Sequence, residues 1–251
     1  MLKLEGIKLV VGKGTQLERT ILEDLSLEVG KGEFVVIIGG NGAGKSTVFN
    51  TISGFMKPEK GKIFIDGIDV TKSSQQERAK LVSIVMQDPR VGTMENMTIL
   101  ENMAFSFKRG KHRGFSLFNN AGRRELFKEK LSLLNMNLEN RLNEMVTNLS
   151  GGQRQALSLV MSIMAESKIL LLDEITAALD PKIAENVMAL ADKLVREEHL
   201  TCVTITHNME HAIRYGDRTI LLKDGQFRRQ YSKAEKANLT VFDLTREFTD
   251  P

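Results

Sequence analysis

The segment Gly39–Thr47, "GGNGAGKST", constrains this chain more than any other stretch. It fits G-x-x-x-x-G-K-[ST] and lies between the uninterrupted apolar run Phe34–Ile38 and the helical pattern "TVFNTI", the context that this motif requires. Strand, glycine-rich loop and helix in that order make a phosphate cradle. Gly39, Gly40, Asn41, Gly42, Ala43 and Gly44 let the backbone curl until successive N–H groups converge on an anion. Lys45 neutralises β- and γ-phosphate oxygens, and the Ser46 hydroxyl, beside Thr47 at the helix start, is placed to ligate Mg²⁺. A chance glycine turn need not put Lys and Ser at a helix start behind a buried strand.

A second constraint is "KILLLDEITAALD". A buried parallel strand would deliver Asp173 at its C-terminal end, where open sheets keep their ligands, so Asp173 is a candidate for the Mg²⁺ shell. Glu174 follows at once and is placed to orient and deprotonate an attacking water. A solvated helix-start carboxylate is the bland alternative for Glu174. The strand and the upstream cradle favour catalysis.

The remaining pattern predicts an α/β fold. "LSLEV" and "KIFIDG" alternate like half-exposed antiparallel strands, whereas "FVVII", "ILLL" and "CVTI" are continuous apolar runs suited to a parallel sheet covered on both faces. Residues 89–162 lack such a run and read as a mostly helical lobe inserted into one domain. The core then comprises about 1–88 and 163–227, and a short tail covers 228–251. With 35 Lys and Arg against 32 Asp and Glu, the charge is too balanced for nucleic-acid binding by electrostatics alone. The one cysteine, Cys202, sits in an apolar run and reads as a buried thiol. No signal-peptide core or membrane-length apolar run is evident, which predicts a cytoplasmic protein.

"NLSGGQRQAL" resembles a second phosphate site, with a glycine pair behind a serine at a helix start but no lysine. Taken with the other motifs it is decisive. "GGNGAGKST" is similar to the Walker A loop of ATP-binding cassette (ABC) transporter ATPases, "VMQDP" with Gln87 to their Q-loop, and "LSGGQRQ" to their signature. "ILLLDE" resembles the Walker B strand, "AALDP" with Asp180 the D-loop, and "TITHN" with His207 the switch histidine.

That resemblance implies a P-loop NTPase core with an N-terminal antiparallel β layer and an inserted helical subdomain. It implies ATP and Mg²⁺ as cofactors, with Ser46, Gln87 and Asp173 around the metal and Lys45, Glu174 and His207 in catalysis. Two subunits would pack head to tail, Ser150, Gly151, Gly152 and Gln153 of one closing over ATP held by the other, with Asp180 alongside. The implied partners are this second subunit, an integral permease at the inner face of the cell membrane and an extracytoplasmic solute-binding protein, with no nucleic acid. The segment "QDPRVGTMENMTILENMAF" points to small-solute uptake, amino acids included. A soluble cassette of iron–sulfur assembly is the alternative.

Other features stay open. Cassettes of this family usually carry an aromatic residue that stacks on adenine, but none occurs between Met1 and Glu33; Val11 is the matching position. "HNMEH" fits a zinc pattern, H-x-x-E-H, although His207 follows a strand rather than sitting inside a helix. His112, His199 and His211 read as surface or helix-packing residues. Met94, Met97 and Met103 suit either a docking surface or the core. Lys108, Arg109, Lys111 and Arg113 read either as a basic run near lipid headgroups or as a solvated loop.

Overall fold

Phe34–Ile38 is buried at every residue and divides the molecule in two. Because successive strand side chains point to opposite faces, Phe34, Val36 and Ile38 join one hydrophobic core, whereas Val35 and Ile37 join another. The computed structural model describes residues 1–109, 121–164 and 167–249.

The chain runs β1 (Leu2–Val11), β2 (Arg19–Val29), β3 (Phe34–Ile38), α1 (Lys45–Ser53), β4 (Lys60–Ile65), β5 (Ile68–Asp69), α2 (Gln75–Arg78) and β6 (Val82–Val85). Helices α3 (Ile99–Phe107), α4 (Ala121–Ser132) and α5 (Gly151–Met164) follow, then β7 (Ile169–Asp173), α6 (Pro181–Glu197), β8 (Thr201–Thr206) and α7 (Met209–Arg214). Strands β9 (Arg218–Lys223) and β10 (Gln226–Ser232) lead to α8 (Lys233–Lys236) and α9 (Val241–Thr249).

The strands form an antiparallel sheet of order β2-β1-β4-β5 and a second sheet of order β10-β9-β3-β8-β7-β6. In the second sheet β9, β3, β8, β7 and β6 are parallel, and only β10 pairs antiparallel, at the edge. The continuous apolar runs therefore became central strands and the alternating segments became the half-exposed layer. Helices α3, α4 and α5 pack together beyond β6, where the helical lobe was predicted. No helix among the described residues is long and apolar enough to cross a membrane.

The structure redraws several details. Residues after 228 form no bare tail: β10 crosses the predicted boundary to close the sheet edge, and Tyr231, Lys236 and Leu244 are buried. Helix α5 runs to Met164, past the lobe boundary at 162. Met103 is fully buried, which settles it as core, whereas Met97 is exposed. Arg109 turns inward and donates to the Val82 carbonyl at 2.6 Å, so it belongs to no solvated basic run. His112, Lys111 and Arg113 lie outside the described residues. Cys202 is buried, as expected, and burial holds its thiol far above the usual range.

Candidate functional site

β3, β6, β7 and β8 run parallel, so the residues following their C-terminal ends meet along one edge of the sheet. One pocket there is lined by Asn41, Gly42, Gly44, Lys45, Ser46 and Thr47 from the loop after β3 and the start of α1. Gln87 lies beyond β6, and Asp173 and Glu174 close β7; all three line the same pocket. Residues predicted from separate motifs are thus brought together.

The loop's shape explains its glycines unequally. Gly44 caps α1 with φ 103°, in the left-handed region, and Gly42 has φ 80°. At Gly39 a Cβ would fall 2.5 Å from the Leu222 carbonyl oxygen, so the loop can lie against β9 only without a side chain. Gly40 has open space around it.

Lys45 is buried, and its ammonium donates to the carbonyls of Gly39 at 2.8 Å and Gly40 at 3.2 Å. It also stands 3.8 Å from Glu174 Oε1. Burial raises the Asp173 carboxyl above the usual range, the Glu174 charge adds to this, and Lys45 opposes it. That cost is the kind a bound cation relieves. Glu174 adopts φ 45°, uncommon for a residue with a side chain, and its N–H donates to the Ile205 carbonyl at 3.0 Å. Its Oε2 lies 3.1 Å from Nδ1 of His207, which follows β8. The strained backbone turns Glu174 toward both Lys45 and His207.

His207 and His211 sit in different surroundings. His207 is exposed whereas His211 is buried against Glu185, and no group of three His, Cys, Asp or Glu residues suited to a metal occurs among the described residues. His199 is exposed.

Ser150, Gly151, Gly152 and Gln153 start α5 and line no part of this pocket. Ser150 Oγ accepts from the Gln153 N–H at 3.3 Å, and Gln153 Oε1 accepts from the Ser150 N–H at 3.1 Å, a reciprocal cap. Gly151 is exposed, but Gly152 is buried against Ile183 of α6, so only the former leaves an outward approach open. Asp180 is exposed at the N-cap of α6.

Val11 also stays out of the pocket. It is half-buried on the core and pairs across the ladder with Arg19, and it is Arg19 and Ile21 that line the pocket wall. Neither carries a motif in the sequence, and their place depends on register shifts between β1 and β2 that no local pattern announces.

A glycine-rich cradle at a helix start, facing two adjacent carboxylates at the end of a neighbouring parallel strand, defines a P-loop ATPase. Residues 22–177 match the family model described as ABC transporter. A tyrosine transport ATP-binding protein of Clostridioides difficile is 45% identical over 231 residues, covering 91% of each chain. A thiamine import ATP-binding protein of Photorhabdus laumondii is 33% identical, covering 90% of this chain and 88% of its own. An ATP-binding cassette solved as a dimer in a post-hydrolysis state bound to ADP and phosphate matches with a TM-score of 0.78 at 31% identity, over 93% of this chain and 99% of that one. The chain belongs to the ABC transporter family, as an ATP-binding, ATP-hydrolysing subunit that pairs with a second such subunit and drives a separate membrane permease.

Proposed function

We propose that this subunit powers uptake of an amino acid, with tyrosine or a close aromatic relative as the substrate class, from the cytoplasmic face of the membrane. The observation that carries this reading is the 45% identity, extending over 91% of both chains, to a tyrosine transport ATP-binding protein. Other relatives named for thiamine and methionine import support uptake over the iron–sulfur assembly alternative. A solute-binding protein outside the membrane completes such an importer.

In the proposed reaction the loop N–H groups and Lys45 hold the ATP phosphates. Ser46, Gln87 and Asp173 offer only oxygen donors within one pocket, a set that suits a hard cation sharing its shell with phosphate. Ser46, Gln87 and Asp173 would hold Mg²⁺ there, and the ion would supply positive charge against the phosphate oxygens. Glu174 would accept a proton from the attacking water, and His207, hydrogen-bonded to Glu174, would hold that carboxylate in place and hydrogen-bond the γ-phosphate. The signature residues Ser150–Gln153 and Asp180 of a second subunit close over the nucleotide head to tail. Their absence from this chain's own pocket supports that arrangement.

The test is uptake of labelled tyrosine by cells with the gene deleted, then complemented by the wild type or by Lys45→Ala. Recovery with the wild type alone, and co-purification of a polytopic membrane protein, is the expected result. Unchanged uptake after deletion of this gene and any paralogue would refute the substrate class.

A further inference from the structure

Hydrolysis as read above needs His207 at Glu174, yet the His207 side chain is 60% exposed and its ring has that one hydrogen-bond contact among the described residues. Something else must hold it there. Glu174 and His207 close the adjacent strands β7 and β8, and each is followed by a helix, α6 and α7 respectively. Helix α7 is only 6 residues long and is capped by Asn208, whose side chain accepts from the His211 N–H at 3.0 Å. Any roll of so short a helix carries His207 with it.

One carboxylate ties α7 to α6. Glu185 accepts from the Tyr215 hydroxyl at 2.6 Å and from the Arg214 guanidinium, and its Oε2 is 3.4 Å from His211 Nε2. His211 is buried, and its Nδ1 has no hydrogen-bond partner. With Nε2 facing a carboxylate, the favoured tautomer carries its proton there, which leaves only a lone pair unmatched. The rings of His211 and Tyr215 meet edge to face at 5.8 Å, and the Arg214 guanidinium lies 5.5 Å from the Tyr215 ring centre. The cluster is mutually bonded, with His211 and Tyr215 buried and Arg214 at its exposed rim, and it contains none of the residues that line the nucleotide pocket.

We infer that Glu185 is a positioning residue for ATP hydrolysis: by gathering Tyr215, Arg214 and His211 it locks α7 onto α6 and so keeps His207 Nδ1 on Glu174. The inference rests on the reading of Glu174 and His207 as the hydrolytic pair. Geometrically the contacts close a ring. Glu174 and His207 meet at one end, Glu185 meets the α7 cluster at the other, and the backbone 175–184 and 208–210 forms the two sides. Packing on β3, β8 and α9 holds the body of α7, and the Glu185 contact sets its position against α6, so loosening that contact relaxes the His207 end.

Glu185→Gln keeps the side chain's size and an acceptor for Tyr215 while removing the charge. The chain holds 4 histidines, so imidazole ¹H–¹⁵N correlations can be assigned one by one from His→Gln variants. Glu185→Gln should shift the His211 signals and also move His207 from a fixed-tautomer spectrum toward the averaged spectrum of a free imidazole. The kcat should fall about five- to tenfold with the Kd for a fluorescent ATP analogue within about twofold, because the loss concerns orientation and not binding. Glu185→Asp, keeping the charge, should recover part of kcat. If only His211 responds and kcat holds, Glu185 is a local packing residue and the inference is overturned. Should Glu185→Gln not fold, Tyr215→Phe removes a single bond and must still move the His207 signals, or the inference fails. A wild type that binds ATP without hydrolysing it would sink the hydrolytic reading instead, while the His207 resonance would still report the lock.

Discussion

Gly152 and Ile183 approach each other so closely that a Cβ on the glycine would lie 2.4 Å from the isoleucine Cγ2. This contact joins the first turn of α5, which begins within the signature segment, to the first turn of α6, which follows Asp180. Gly151, one residue earlier, would place its Cβ 3.6 Å from Leu179, an ordinary contact. Gly152→Ala should therefore cost about 1–3 kcal/mol by overpacking, and Gly151→Ala should be near neutral for folding. Urea denaturation of both variants, and of Gly152→Ala with Ile183→Ala, checks this. Failure of the double variant to recover stability would show that the steric account is wrong.

Glu174→Gln should slow turnover roughly 10²- to 10⁴-fold while sparing ATP binding, since a general base contributes about that much. Persistent ATP should then accumulate a dimer, visible by size-exclusion with light scattering. Adding Gly151→Asp should abolish that dimer, because Gly151 is exposed at the start of α5 and a carboxylate there would face the γ-phosphate across the interface. A monomer at every ATP and Mg²⁺ concentration would count against closure over the nucleotide.

The legible parts of this protein were those in which a local pattern and the global fold impose the same demand. "FVVII" is apolar throughout and "CVTI" carries only one threonine among apolar residues, as suits strands covered on both faces, so their central place could be read directly. The cradle announced itself because Lys45 and Gly44 have one local geometry to satisfy. The C-terminal segment was missed because "QFRRQYS" is an edge strand, half exposed and rich in arginine, with only Phe227 and Tyr231 to suggest a sheet. His211 could be read as a helix-packing residue, but its partnership with Glu185 could not. Their meeting depends on how α6 and α7 pack, and neither helix's own periodicity carries that information.

Arg19, not Val11, lines the nucleotide pocket, and no hydrogen bond or ion pair occupies its guanidinium among the described residues. A guanidinium plane can lie against any purine, a contact of roughly 1–2 kcal/mol once partly desolvated. Wild type should thus bind ATP and GTP within about tenfold of each other, and Arg19→Ala should weaken both alike by several-fold. Val11→Tyr, across the ladder from Arg19, should tighten ATP binding several-fold by offering an aromatic face. Calorimetry on the three proteins decides it, and a strong ATP preference that survives Arg19→Ala would mean that another residue reads the base.

The last prediction concerns pH. Lys236, in the C-terminal segment, is 2% exposed and donates to the carbonyls of Tyr215 and Gly216 at the end of α7. Burial pushes its ammonium down to about 8, with Asp217 opposing and Lys233 and Arg196 assisting. The unfolded chain keeps an ordinary lysine near 10.4. Between these values the unfolded state binds more protons than the folded one, so this group's contribution to stability rises with pH from about 8 to about 10 and is constant below that window. Lys236→Met removes the titration while filling similar space. The stability of wild type relative to Lys236→Met should be level from about pH 6 to 7 and should then grow in favour of wild type by roughly 1 kcal/mol up to about pH 10, allowing for partial solvation. Urea titrations at several pH values measure the difference. A flat or falling difference would show that the ammonium remains hydrated in the folded chain, and with it that α8 does not clamp the end of the helix that follows His207.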